Sequence, residues 1–229
     1  MNSKIITICV TVLLAAGLLT VGLFNIVKTD RSVTVRGLAE REVVADMAIW
    51  PLKFTVGSNN LASLQNDIIA KTAEVTKFLN EYSLDAEDYT IQAASIRDYS
   101  VDPYINRDSI KYNYLATQTV LVRTSKVDLL KKAQSDSLKL AGRGIAVSQD
   151  YDTKVTYEFT GLNEIKPEMI AEATLNARKA AEQFAHDSNS RVGKIKKATQ
   201  GLFSIEDAAV GLEEKKNVRV VTTVEYLLK

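Results

Sequence analysis

His186 is the single histidine of this 229-residue chain and the one side chain whose ordinary titration falls near neutral pH. It stands beside Asp187 and four residues after Glu182. That placement suits the last turn of a helix, where a histidine favours the dipole and can pair at that spacing. A Ser–His–Asp triad needs the base held against a nucleophile, and no serine here sits in a nucleophile-elbow motif. Asp98, Asp102, Asn106 and Asp108 gather in one polar stretch. Such carboxylates could hold calcium, but the spacing is not that of an EF-hand and the expected Gly is missing, so they read as a solvated loop. Gly142-Arg143-Gly144 is too short for a phosphate loop and reads as a helix end. Lys194, Lys196 and Lys197 form a local basic patch that could touch anionic lipid or a partner. Lys215 and Lys216 adjoin Glu213 and Glu214 and read as a mixed-charge loop. Tyr99, Tyr104, Tyr112 and Tyr114 cluster around one expected hairpin, as an interaction surface or as ordinary sheet packing. None of these sets completes a catalytic, cofactor-binding or metal-binding constellation. The expectation is a non-enzyme with no cofactor; an enzyme would have to use carboxylates, or Tyr and Lys, without His or Cys.

Composition narrows the classes further. Lys plus Arg is 29 against 28 for Asp plus Glu, which argues against a dedicated nucleic-acid binder. Charged residues at 25% and apolar residues at 46% match a globular chain and exclude wholesale disorder. One Cys excludes an internal disulfide, and one His with one Cys excludes a zinc site of the usual kind.

From Ile5 to Val27 no residue is charged. As a helix this run measures about 34 Å, enough to cross a hydrocarbon core of about 30 Å. Lys4 and Lys28 bracket it and can snorkel to the interfaces. A cleaved signal peptide is the competing reading, with Ala15-Ala16-Gly17 imitating a cleavage site. The apolar run continues beyond it, however, so an uncleaved anchor over residues 1–28 is expected. Cys9 lies within the run and reads as a small hydrophobe, since Ile6-Thr7-Ile8 lacks the small residue that lipid attachment wants. The flanks, with Lys4 on one side and Lys28, Arg31 and Arg36 on the other, give no orientation by the positive-inside rule. The absence of Cys beyond the run suits an oxidising compartment.

Residues 29–229 read as one mixed α+β domain, with no Gly/Pro/Ser linker dividing it. An extended segment at Val33 and Val35 is expected to turn near Gly37. A long strand follows over Val43–Val56, with Ala48, Trp50, Leu52, Phe54 and Val56 on one face and Pro51 marking an edge or bulge. Asn59 or Asn60 caps a helix to Tyr82 whose stripe is Leu61, Leu64, Ile68, Val75, Phe78 and Leu79. Strands are expected over Tyr89–Tyr99 and Tyr112–Arg123, the latter with Tyr112, Tyr114, Ala116, Val120 and Val122 on one face. Ser125 and Asp128 have capping-box spacing ahead of a helix to Gly142 with Val127, Leu130, Ala133 and Leu138 inward. A strand over Thr153–Thr160 precedes a third helix with Pro167 in its first turn. That helix has a stripe of Ile170, Ala173, Ala177, Ala180, Ala181, Phe184 and Ala185. So many alanines imply close approach to a neighbour. Strands near Lys194–Gln200 and Val218–Leu228 close the chain, the last with Val218, Val220, Val224 and Tyr226 on one face.

These residues resemble the SIMPL domain of bacterial envelope proteins. Ser32-Val33-Thr34-Val35-Arg36-Gly37-Leu38-Ala39-Glu40 resembles its opening strand. Ala45-Asp46-Met47-Ala48 resembles its Pro-Asp start of the next strand, with Ala in place of Pro. Tyr114–Val122, Ala173–Ala185, Arg191-Val192-Gly193-Lys194-Ile195 and Val221-Thr222-Thr223-Val224-Glu225-Tyr226 complete the match. The elements above read as mixed and antiparallel sheets packed with three helices, behind one N-terminal transmembrane helix, and the resemblance implies an export-directed or membrane-tethered protein. It also implies a domain in the periplasm or outside the cell, a connection with oxidative stress, and large ring-like homo-oligomers. The intact anchor is a departure from relatives that look soluble and exported. The expected partners are therefore the bilayer, through residues 5–27, and further copies of the chain. Its alternative is a ligand- or peptide-binding module that recruits an extended partner by strand addition.

Overall fold

Alternation in two sequence segments builds the larger sheet. A computed structural model describes Gly17, residues 31–101 and residues 110–229; the apolar run 5–27, apart from Gly17, and the stretch 102–109 lie outside the described residues. The strands are β1 (Ser32–Val44), β2 (Met47–Ser58), β3 (Tyr89–Ile91), β4 (Ser95–Asp98), β5 (Tyr114–Thr124), β6 (Thr156–Glu158), β7 (Val192–Gln200), β8 (Ser204–Asp207) and β9 (Lys215–Leu228). The helices are α1 (Leu61–Glu81), α2 (Val127–Ser135), α3 (Lys139–Gly142) and α4 (Leu162–Asp187). The result is mixed α+β with antiparallel sheets, and the middle expected helix is two. Among the described residues no helix is long and apolar enough to cross a membrane. The described residues fall into two compact units. One holds residues up to Ala39 with Ile170–Leu202 and Val220–Lys229; the other holds Glu40–Met169 and Phe203–Arg219.

In the second unit β2 pairs antiparallel with β5 from Ala48↔Thr124 to Ser58↔Tyr114. Ala48, Trp50, Leu52, Phe54 and Val56 all point to the core, as their alternation requires. Leu64, Val75, Phe78 and Leu79 of α1 and Leu130 and Ala133 of α2 pack there too. Asn60 caps α1, its Oδ1 accepting from Ser63 N at 3.0 Å, while Leu61 stands 51% exposed at the first turn.

Several boundaries differ from expectation for local reasons. The strand expected from Val43 breaks at Ala45-Asp46, where Asp46 turns its carboxylate to the Thr160 and Gly161 N–H groups, each at 2.8 Å at its nearest. Pro51 lies between two pairings on one side of β2: β6 at Met47–Ile49 and the Phe54–Val147 bridge. A residue without an N–H is tolerated in that gap. The strand expected over Tyr89–Tyr99 is two short ones, because buried Gln118 donates its amide to Gln92 O at 2.6 Å between them. The capping box from Ser125 does not form. Lys126 N instead takes Thr124 Oγ1 at 3.0 Å, and the helix begins at Val127. The chain breaks at Asp136–Leu138, which swings Leu138 out to 81% exposure and buries Leu140 instead. The helix end is set by Gly144 (φ +74°) rather than Gly142. Ile145 N bonds Leu140 O and Gly144 N bonds Ala141 O, the paired bonds of a Schellman motif. The strand expected over Thr153–Thr160 is only β6, behind a 3-10 turn at Tyr151–Thr153.

In the first unit α4 lies against β1 and β9. Its buried stripe is Ala173, Ala177, Ala181 and Ala185, with Met169 ahead of it, one residue every fourth position. Phe184, expected on that stripe, is 60% exposed, and Ile170 gives its place to Met169. The strand does not turn at Gly37. It continues, and Gly37 is the point where strand meets helix. A Cβ there would stand 2.9 Å from Ala177 Cα and closer still to Ala177 N and Ala173 O. Asn176 Nδ2 donates to Leu38 O at 2.9 Å beside that contact. Pro167 sits past the first turn, because the helix starts at Leu162 rather than beside the proline. β7 pairs with β9 through two register shifts. β8, not expected, pairs with the start of β9 in the second unit.

A methyl group at Gly37 has backbone on every near side and cannot be relieved by a rotamer change. Gly37→Ala should therefore lower stability by about 3 kcal/mol, at the upper end of overpacking costs, read as the shift of a urea unfolding midpoint. Leu38→Ala, at a residue 39% exposed on the same strand, should cost less than half of that.

Candidate functional site

The sequence-selected residues are dispersed rather than convergent. His186 ends α4 with an 86% exposed side chain, its Nδ1 3.4 Å from Asp187 Oδ1. Glu182 does not pair with it, because Arg178 Nε holds Glu182 at 2.9 Å one turn earlier. Asp98 accepts from the N–H and Oγ of Ser100, at 2.8 and 2.6 Å, while Asp102, Asn106, Asp108 and Tyr104 lie outside the described residues. Lys215 and Lys216 are not in a loop; they open β9, bound to Glu42 and Asp207 respectively. Lys196 pairs with Glu225 at 3.2 Å, leaving Lys194 and Lys197 exposed on β7. Tyr114 packs at the margin of the core, and Tyr112 lies over Gly57, whose Cβ would meet its ring carbon at 2.7 Å. Tyr99 lies beneath Arg97, 4.8 Å from its guanidinium.

One cluster has no spacing signal in the sequence. Asp85, Glu87 and Asp88 bring carboxylate oxygens within 4.8 Å of one another. Lys126 from the far side of β5 reaches into them, with Nζ 2.7 Å from Asp88, 3.3 Å from Asp85 and 2.9 Å from Ser83 O. Thr124 donates to the other oxygen of Asp88 at 2.6 Å, and Asp85 N donates to Oδ2 at 2.9 Å. The ammonium thus takes the place and charge that a metal cation would need. Burial raises the Asp88 pKa, but the donors from Lys126, Thr124 and the Asp85 backbone outweigh it and hold the carboxyl below its ordinary value.

The same direction holds elsewhere. Hydrogen bonds to carboxylates raise Lys53, Lys126, Lys131, Lys139 and Lys215 further from neutrality. Partner donors lower Glu81, Asp136, Asp152, Glu214 and Glu225. A general acid, base or amine nucleophile needs the opposite shift.

One concave region is lined mainly by neutral groups. Two adjoining cavities of about 390 and 450 Å³ share Gln134, Ser137, Val147 and Gln149 and so form one groove. It lies in the second unit, between the break that separates α2 from α3 and the segment 145–154. Trp50 is in the wall and Tyr151, 98% exposed, stands at the rim. The 3-10 turn that carries Tyr151 is braced by Thr153 Oγ1, which bonds Asp150 O and Ser148 O, and by Lys53 on Asp152 at 2.7 Å.

The family model SIMPL, a protein family of unknown function (DUF541), matches residues 33–226. The chain belongs to the SIMPL family. No curated protein matches it. Placed on the structure, the SIMPL residues are fold-forming ones: Gly37 with Ala173 and Ala177 at the strand–helix contact, and Asp46 at the start of β2. The groove and the Asp88 cluster draw on residues outside the segments by which the resemblance is legible.

Asp88 supplies a test of its own cluster. Its folded pKa is depressed, so its contribution is present above the unfolded value of 3.8 and is lost as pH falls through the folded value. Asp88→Asn should cost roughly 2 kcal/mol at pH 7. In urea titrations the gap from the parent protein should close as the pH is lowered beneath 3.8.

Proposed function

We propose that this SIMPL protein is a non-enzymatic, membrane-tethered module of the bacterial cell envelope that assembles with further copies of itself. The run over residues 5–27 anchors it in the inner membrane, and the α+β part works in the periplasm or outside the cell. The direction of the shifted pKa values supports a role without catalysis, since none among the described residues moves a group toward neutral pH.

One observation carries the assembly reading: the two sheets guard their edges differently. β7 is an edge with three lysines, Lys194, Lys196 and Lys197, and two register shifts, the usual devices against edge-to-edge pairing. The edge formed by β3 and β4 has neither. From Tyr89 to Ile96 it carries no charge and no proline, with Arg97 and Asp98 closing β4; residues 90–96 are all exposed, and Ile91 and Ile96 are 51% and 56% exposed. Among the described residues its strands pair only with β5. An exposed, charge-free stretch of this composition is a template for another strand. Tethering in one bilayer raises the local concentration, so weak edge contacts become effective. A connection with envelope stress rests on the family resemblance.

The full chain in detergent should sediment as a species larger than a tetramer at micromolar concentration. Ile96→Lys should shift it to smaller species while leaving thermal unfolding unchanged. A single monomeric boundary for the parent chain overturns the proposal. Loss of a crosslinked foreign protein in Ile96→Lys, with no change in self-association, would transfer the edge to a peptide partner.

A further inference from the structure

The groove along the α2–α3 break presents an unusual set of groups. Trp50 is only 4% exposed, and among the described residues its indole N–H has no hydrogen-bond partner. Among the described residues, the sealed-in side-chain polar atoms without a partner are Arg143 Nη1 and Thr222 Oγ1. The indole nitrogen is therefore not sealed in, and Trp50 lines the groove. The side chains of Gln134, Ser137, Ser148 and Gln149 also line it and have no hydrogen-bond partner among the described residues. Each can both donate and accept. Tyr151 adds an aromatic face in full contact with solvent on a braced turn.

The charges at the groove are of both signs. Asp150 stands 4.0 Å from Lys53, which hydrogen-bonds Asp152, and Lys154 lies 3.5 Å from Glu213. An ionic ligand of either sign meets its own sign of charge there beside the opposite one. An extended peptide would seek a free backbone edge, but Ser148 N already donates to Lys53 O at 2.8 Å and Val147 already bridges Phe54. The complementary ligand is neutral, carries many hydroxyls that donate and accept, and has apolar C–H faces to lie on an aromatic ring. Those are the properties of a sugar chain, and the volume is that of ordinary ligand sites.

We propose that this groove is a binding site for a neutral oligosaccharide. Trp50 Nε1 donates to a sugar oxygen, Gln134 and Gln149 pair with vicinal hydroxyls, and Tyr151 stacks on a pyranose face, whose C–H groups meet the negative face of the ring. The site lies apart from the β3–β4 edge and functions whether or not copies assemble.

Trp50 is the only tryptophan of the chain, so its emission reports the groove directly. The full chain in a sugar-free zwitterionic detergent is titrated with chitotetraose, cellotetraose and maltotetraose, and separately with acetylated tetra-alanine amide. At least one glycan should give a saturable change in Trp50 emission. Tyr151→Ala and Gln149→Ala should each weaken it about fivefold or more, with thermal unfolding unchanged because both side chains are exposed. The proposal is overturned if no glycan saturates by about 10 mM, a dissociation constant too weak for a specific site. It is overturned equally if both variants respond like the parent, or if the peptide alone produces the change.

Discussion

A strand and a helix can meet at backbone distance only where neither puts a side chain in the way, and Gly37 against Ala173 and Ala177 is such a place. The contact sets the first unit. Because the strand lies this close, the helix face beneath it can carry nothing larger than a methyl group, and the four-residue spacing of Ala173, Ala177, Ala181 and Ala185 follows. Val35, Val224 and Tyr226 then fill the space on either side of the line of closest approach. The faces that turn away carry Arg178, Lys179 and Glu182, so a rotation of α4 about its axis would bury charge. A narrow stripe with charged flanks admits one rotational setting.

The parts of this fold that were legible in the sequence are those in which one residue type repeats at one period. The alternation from Ala48 to Val56 and the stripe from Leu64 to Leu79 depend only on burial, and burial leaves a periodic trace. The alanine run announced close packing but not its partner. From sequence Gly37 reads as a turn because a missing Cβ serves a turn and a close approach alike; only the opposing Ala177 backbone separates the two. Leu138 and Phe184 were misplaced for a different reason. Each sits at a position that continues an apolar stripe, but a break at Asp136 resets the phase in one case, and in the other a strictly four-residue stripe leaves no room for an aromatic ring.

The Asp88–Lys126 cluster and the groove had no local trace at all. Lys126 reaches residues about forty positions earlier in the chain, and the groove joins side chains near residue 50 to others near 134 and 149. Amides and hydroxyls scattered at such separations have no spacing that distinguishes them from solvated surface. Their character is visible only by elimination, once every hydrogen bond made within the protein has been assigned.

Exposed ion pairs contribute little stability singly, at most about 1 kcal/mol each. Their larger effect here is on reactivity, since hydrogen bonds within the Lys126–Asp88, Lys131–Glu214 and Lys139–Asp136 pairs move the amine upward and the carboxyl downward, away from the range where protons are exchanged at neutral pH. Beside its charges, this surface offers unpaired backbone along the β3–β4 edge and unpaired neutral groups in one groove. Both are directional and depend little on salt or pH. Binding through such groups holds its strength where ionic conditions vary, as they do outside a regulated cytosol, and this physical property ties the quiet chemistry of the domain to the compartment proposed for it.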